Sequence, residues 1–446
     1  MPISATSGLV SNIDYQSLIT QLVNVQKIAL TQLTTEKSTF EKAKTAFGAL
    51  SSRVQDLMTA ADALRTDAGF RVFSTDISDT TILGASTSNT ATTGSYSIVV
   101  TNTAKAHKIL STGVAAATTT IAAGAGSFSF QAGTGAVQTV AVDAATTITS
   151  LKDSINALNA GVTASVVNDG SATNPYKLII SSNTTGTANG VTITTNNTSL
   201  TFPTTLQAAT DATFSVDGLT YTRSTNSVSD VITGVTLDLK SQDPARTVTL
   251  NVKRDTSSIQ KKITALVDNY NSVISYIKAN NRYDSTIKLG GPFFGDSVAR
   301  SVQDDLRRVM SGAISGLPST MNRLVHAGIS SDKDGVFSVD SAKLSAALSS
   351  NFDGVVNMFT DTTVTKTTKG FGGLVYDMAN GISNTVDGRI TNRTNGLAKN
   401  IKSIEKNITD KETQLTAYEE RIRAQFTALE TMLANLKSQS SFLARL

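Results

Sequence analysis

The last fifty residues, Leu397 to Leu446, restrict the possible folds of this chain more than any other stretch. Steps of four and three residues from Leu397 land on Ile401, Ile404, Ile408, Lys411, Leu415, Tyr418, Ile422, Gln425, Leu429, Met432, Leu436, Gln439, Leu443 and Leu446. Only Lys411, Gln425 and Gln439 interrupt the apolar seam, and neither Gly nor Pro falls within it. A repeat averaging about 3.5 residues keeps one stripe facing a partner along a left-handed supercoil. At about 1.5 Å per residue the helix reaches roughly 75 Å, several times what a compact domain needs. Each buried apolar side chain is worth about 1.5 to 3 kcal/mol, so leaving the seam in water forfeits on the order of 20 kcal/mol. The stripe therefore needs a mate, either a helix of the same chain or a neighbouring subunit. Phe426, Leu433 and Phe442 lie one position beside it and widen it toward a multi-helix contact.

A natural mate opens the chain. Helix periodicity begins near Asp14, with Asp14 or Ser11 able to cap the start, and Tyr15, Leu18, Ile19, Leu22 and Val25 form an apolar stripe. The stripe weakens around Gln32 to Lys37 and resumes at Phe40, Ala43, Phe47, Leu50, Val54, Leu57, Ala61 and Leu64. From about Phe70 to Lys253 the chain turns Thr-, Ser-, Ala- and Gly-rich, with short alternating runs such as Tyr96 to Val100 and Lys177 to Ile180. Asp169-Gly170, Asn189-Gly190 and Asp217-Gly218 mark turns between strands, and one helix is expected over Thr147 to Leu158. Helix returns at Thr256 with Ile259, Ile263, Leu266, Tyr270, Val273 and Ile277 on one face, followed by amphipathic segments at 296–311, 341–350 and 371–386 and a hairpin at Asp334-Gly335.

The expected fold is α+β and multidomain, with terminal coiled-coil helices and a helical base into which nested β-rich domains are inserted. The expected divisions are a terminal helical leg (1–37 and 407–446), a base (38–70 and 254–406), a β-rich domain (71–110 and 201–253) and a variable β-rich domain inserted within it (111–200).

No motif carries chemistry. The chain has no Cys and two His, which leaves no thiol catalysis, disulfide or His cluster for a metal. Asp332-Lys333-Asp334-Gly335 resembles the centre of a calcium loop, but Ser330 and Ser341 stand where the first and closing ligands belong. Gly370-Phe371-Gly372-Gly373 lacks the spacing and Lys of a phosphate loop. Asp304-Asp305 and Glu419-Glu420 lie among Arg residues and read as solvated ion-pair faces. With 39 basic against 35 acidic residues and no basic run, neither nucleic acid nor membrane is an expected partner. No cofactor, metal or enzymatic activity is expected. No cleavable signal peptide is recognised, so export would use a retained N-terminus.

Several segments in order resemble the flagellar filament-cap proteins, the hook-associated protein 2 (FliD) family. They are Ser7 to Leu9 with Ile13 to Ile19, Gly94 to Val100 with Ala104 to His107, and Phe214 to Gly218 leading to Asn226 and Gly234 to Leu237. The likeness continues in Val267 to Asn271, Gly295 to Ser297, Ala327 to Ile329 with Asp334-Gly335, and Gln425 to Leu429 with Ser440 to Leu443. Asn12 and Thr103 depart from the family pattern, where Gly and Leu are usual. The resemblance implies an extracellular, self-assembled ring, usually of five subunits, at the distal tip of the bacterial flagellum. It also implies retention of exported flagellin, ordered flagellin polymerisation, proximity to the hook-filament junction protein, and a chaperone on the C-terminal helix before export. Residues expected at subunit and filament contacts are Leu18, Leu22, Leu415, Ile422, Phe426, Leu429, Met432, Leu436, Phe442, Leu443 and Leu446. The alternatives are an adhesin binding host glycans through the Thr-rich domains, or a flagellin or hook-filament junction subunit.

Overall fold

A computed structural model describes residues 14–286, 289–361 and 368–443. Its helices are α1 (Tyr15–Asp62), α2 (Asp67–Phe70), α3 (Ile148–Ala157), α4 (Thr256–Asn280), α5 (Ser297–Ser311), α6 (Ser341–Ser350), α7 (Phe352–Phe359), α8 (Phe371–Ser383) and α9 (Arg389–Leu443). The chain divides into two compact units, Met1–Phe70 with Thr256–Leu446, and Arg71–Asp255. The expected α+β, multidomain class with long terminal helices is what the structure has.

The first unit is helical, and its core forms where α1 meets α4, α8 and α9. Phe47, Leu50, Val54, Leu57 and Ala61 are spaced to fall on one face of α1, and all are sealed from solvent. Ile259, Ile263, Tyr270 and Ile277 supply the matching stripe of α4. Asp14 caps α1, its Oδ1 accepting the Ser17 N–H at 3.0 Å. Asp296 caps α5 by accepting from Val298 and Ala299 at 2.8 and 3.3 Å. The expected amphipathic segment 371–386 stops earlier, because the Asn384 side chain accepts the N–H groups of Val386 and Asp387 and turns the chain out of the helix.

The Asp334-Gly335 turn is a hairpin joining Ile329–Ser331 to Phe337–Val339, with Gly335 at a φ of 79°. Asp332 spends its Oδ1 on the N–H groups of Asp334 and Val336, each at 2.9 Å, which makes it a turn former. Two residues of α4 hold this hairpin. Asn271 brackets Phe337, accepting its N–H at 2.9 Å and donating to its carbonyl at 2.7 Å. The Tyr270 hydroxyl donates to the Gly335 carbonyl at 3.1 Å.

Burial pushes the Tyr270 phenol up to about 12. The native state therefore keeps this proton between pH 10 and pH 12 while the unfolded chain releases it. The associated stability is complete below pH 10 and lost as pH rises through about 12, about 3 kcal/mol in all. Denaturant titrations at successive pH values should show Tyr270→Phe losing less stability than the parent over that interval.

In the second unit all strand pairings are antiparallel. A five-stranded sheet runs in the order Phe73–Ile77, Val248–Arg254, Gly94–Asn102, Ala212–Val216, Leu219–Arg223, and faces a three-stranded sheet of Ser227–Ile232, Val235–Leu239 and Leu83–Thr87. Ile98, Val100, Phe214, Leu237 and Leu250 form the core they share. Asp217 and Gly218, at φ of 49° and 84°, give the doubly left-handed turn that a tight hairpin requires. A separate core of Phe128, Phe130, Ile148, Leu151, Leu178 and Ile180 lies between a four-stranded and a three-stranded sheet and includes α3. Strands Ala106–Leu110 and Thr204–Gln207 belong to the sheet of this inner core. The unit's two ends meet: Phe73 pairs with Arg254, and the Asp255 N–H donates to the Val72 carbonyl at 2.8 Å.

Candidate functional site: a two-helix stem with uncovered apolar faces

The seam of α9 finds its mate within the chain. Tyr15 and Phe426 have ring centroids 4.9 Å apart, Lys37 pairs with Glu405 at 2.9 Å, and the Arg393 guanidinium lies 6.0 Å from the Phe47 ring centroid. As the residue number on α1 rises from 15 to 47, its partner on α9 falls from 426 to 393, so the helices run antiparallel without a slip. The Glu405 carboxylate beside Lys37 raises its ammonium pKa above the ordinary lysine value. Arg423 adds a bond to the Gln16 side chain at 3.1 Å.

Burial along the stem is graded. Leu397 and Ile404 are core residues. Leu415, Ile422 and Phe426 are half-buried, whereas Leu429, Met432 and Leu436 are exposed, Met432 to 61 %. On α1 the face turned inward is Tyr15, Ile19 and Val23, which leaves Leu18 and Leu22 about 40 % exposed and Val25 and Ile28 more so. Phe442 and Leu443 lie in the last described turn of α9, and Leu446 lies outside the described residues. Two further features were not anticipated from sequence: Ile28 extends the outer stripe of α1, and the buried Tyr15 hydroxyl has no hydrogen-bond partner among the described residues.

The seam opens midway. Lys411, together with Gln26, Gln414, Tyr418 and Arg421, lines a cavity of about 470 Å³ between the helices. A charged side chain at a seam position holds the helices apart and fixes their register at a cost in stability.

This arrangement offers contact surface rather than reactive groups. Among the described residues no cluster of His, Cys, Asp and Glu is arranged to hold a metal ion, and no helix is long and apolar enough to cross a membrane.

The description "Flagellar hook-associated protein 2 C-terminus" matches residues 209–438, more than half of the chain, and "Flagellar hook-associated protein 2 N-terminus" matches residues 11–107. The chain belongs to the flagellar hook-associated protein 2 (FliD) family. Among relatives in that family, the B-type flagellar hook-associated protein 2 of Pseudomonas aeruginosa is 28% identical over 457 residues, covering 95% of this chain and 93% of that protein. The flagellar hook-associated protein 2 of Escherichia coli (strain K12) is 29% identical over 469 residues, covering 98% and 97%. The crystal structure of the flagellar cap protein FliD D1-D2-D3 domains from Escherichia coli matches with a TM-score of 0.64 at 28% identity, covering 79% of this chain and 99% of that one. The stem residues 15–62 and 389–438 fall largely within the two FliD family matches, so the uncovered faces belong to the family's shared ends.

Proposed function

We infer that this chain is a structural cap at the distal tip of the bacterial flagellar filament, where it retains exported flagellin and promotes its ordered polymerisation. The observation that carries this reading is a FliD-family chain whose two ends pair into one stem yet leave apolar stripes in water on both helices. A face rimmed by polar residues and left uncovered in a soluble subunit is a binding surface. Leu18 and Leu22 on α1, with Leu429, Met432 and Leu436 on α9, supply contacts to neighbouring subunits and to flagellin, continued by Phe442, Leu443 and Leu446. Leu415, Ile422 and Phe426 join the two helices.

In this reading the leg comprises 1–37 and 407–446, the base 38–70 and 254–406, and the plate the nested β-rich domains expected at 71–110 with 201–253 and at 111–200, with strands Ala106–Leu110 and Thr204–Gln207 going with the inner one. The assembled form is a closed ring, five subunits being the expected number. The hook-filament junction protein is its first neighbour, and a chaperone covers the C-terminal helix before export. The molecule works outside the cell, by contact and without catalysis. A strain lacking this chain should shed monomeric flagellin into the medium and recover filament growth when the protein is added back. Unchanged filaments in that strain would remove the reading.

A further inference from the structure

The helical base carries a second apolar site away from the outer stem. The loop that follows α4 forms a short hairpin, Tyr283–Asp284 with Leu289–Gly290, and then runs into α5. It leaves Leu289 and Phe294 with 60% and 57% of their surface in water, and Tyr283 lies beside Phe294 at 5.5 Å between ring centroids. Between this loop and the helices is a cavity of about 420 Å³, walled by Phe40, Leu289 and Phe294, with the Asp296–Arg393 ion pair on its polar side and Lys42 among its lining residues. Lys42 makes no ion pair among the described residues. An open apolar cavity bearing one uncompensated cation is shaped for an apolar side chain next to a carboxylate.

The same base presents such a pair. Val386, 82 % exposed, is the most exposed large apolar side chain among the described residues. It does not hang on a loose loop. The Asn384 side chain accepts its N–H at 2.8 Å, the Gly388 N–H donates to the Asn384 carbonyl at 3.0 Å, and Asn392 donates to the Asp387 carbonyl at 3.0 Å. The Asp387 carboxylate beside it has no ion-pair partner among the described residues. With 82% of its surface in water, Val386 is not seated in its own chain's cavity.

We propose that Val386 and Asp387 of one copy dock into the Phe40–Leu289–Phe294 cavity of the next, with Asp387 facing Lys42. The occupant is a second copy because the knob's apolar side chain and carboxylate complement the cavity's apolar wall and its Lys42 cation, and neither Val386 nor Asp387 lines that cavity in its own chain. A contact between two different surfaces of identical chains is heterologous, and repeating it closes a ring or runs on as a helix. This deepens the self-assembling cap reading and rests on it.

The test uses the full chain. Lys42→Glu and Asp387→Lys each place like charges at the contact and should raise the concentration for half-assembly at least tenfold in sedimentation velocity. Combining them restores opposite charges and should return that concentration to within about threefold of the parent. Val386→Gln, which alters only an exposed side chain, should weaken assembly without changing thermal unfolding. Single variants that assemble like the parent, or a double variant that does not recover, overturn the proposal. So do variants that assemble normally but lose flagellin retention, an outcome that would assign the cavity to flagellin. A parent chain that stays monomeric at every concentration overturns the cap reading as well.

Discussion

Removing residues 429–446 should abolish retention of flagellin at the filament end while leaving thermal unfolding of the helical base unchanged. Leu397 and Ile404 anchor α9 in the core, and Tyr15 meets Phe426, so the cut falls beyond the last contact seen between α1 and α9. It removes Leu429, Met432 and Leu436, which are about half in water, and none of the buried core residues. About half of each side chain is in water, so covering it with a partner is worth about 1 kcal/mol apiece. Their loss therefore weakens docking by roughly a hundredfold before the entropy of ordering the helix is counted. Calorimetry of the truncated chain beside an add-back assay separates the effects. A fall in unfolding temperature of several degrees, or undiminished retention, would contradict this account of the stem.

Asp296→Ala should destabilise the base by about 1 to 3 kcal/mol, from the lost helix cap and the lost partner of an Arg393 whose side chain is 36% exposed and so partly screened by water. Asp296 has a side chain only 7% exposed and accepts from the Arg393 guanidinium on α9 at 2.8 Å while capping α5. Its removal leaves the Arg393 charge facing the α1–α9 junction and the first turn of α5 without its acceptor. Asp296→Asn, which keeps a cap but not the charge, should fall between the parent and the alanine variant. The double substitution Asp296→Ala with Arg393→Met should regain much of the loss, because no charge is then left uncompensated. Chemical denaturation of the four proteins tests this order. A double variant no more stable than Asp296→Ala would show that the cap, not the pair, carries the effect.

The helices were legible because their apolar residues recur at helical spacing over many turns. The seam from Leu397 onward and the stripe from Phe47 to Leu64 left little choice of face. The outer part of α1 was ambiguous in sequence. Tyr15, Ile19 and Val23 form one stripe and Leu18, Leu22 and Val25 another beside it, and both satisfy the period. What selects the first is the position of Phe426 and Arg423, some four hundred residues away in the chain. The asparagine clamps were equally hidden. Asn156, Asn226 and Asn271 each bind both the N–H and the carbonyl of one distant residue, Ala164, Ala104 and Phe337 respectively. In sequence these asparagines read as helix or turn residues. Val386 was expected on a helix, and only the Asn384 turn brings it out as a knob. The short hairpin bearing Leu289 left no periodic signal at all.

The meeting of Phe73 with Arg254 has a consequence for how such molecules diversify. A segment of more than 180 residues leaves and re-enters the helical part through two neighbouring strands, so its interior can lengthen, shrink or be exchanged without shifting where the chain is joined. Loop-closure cost grows only slowly with length, and here the closure is already made by the ladder at the doorway. Evolution, or an engineer, is free to remodel Arg71–Asp255 while the helical part of the chain stays the same.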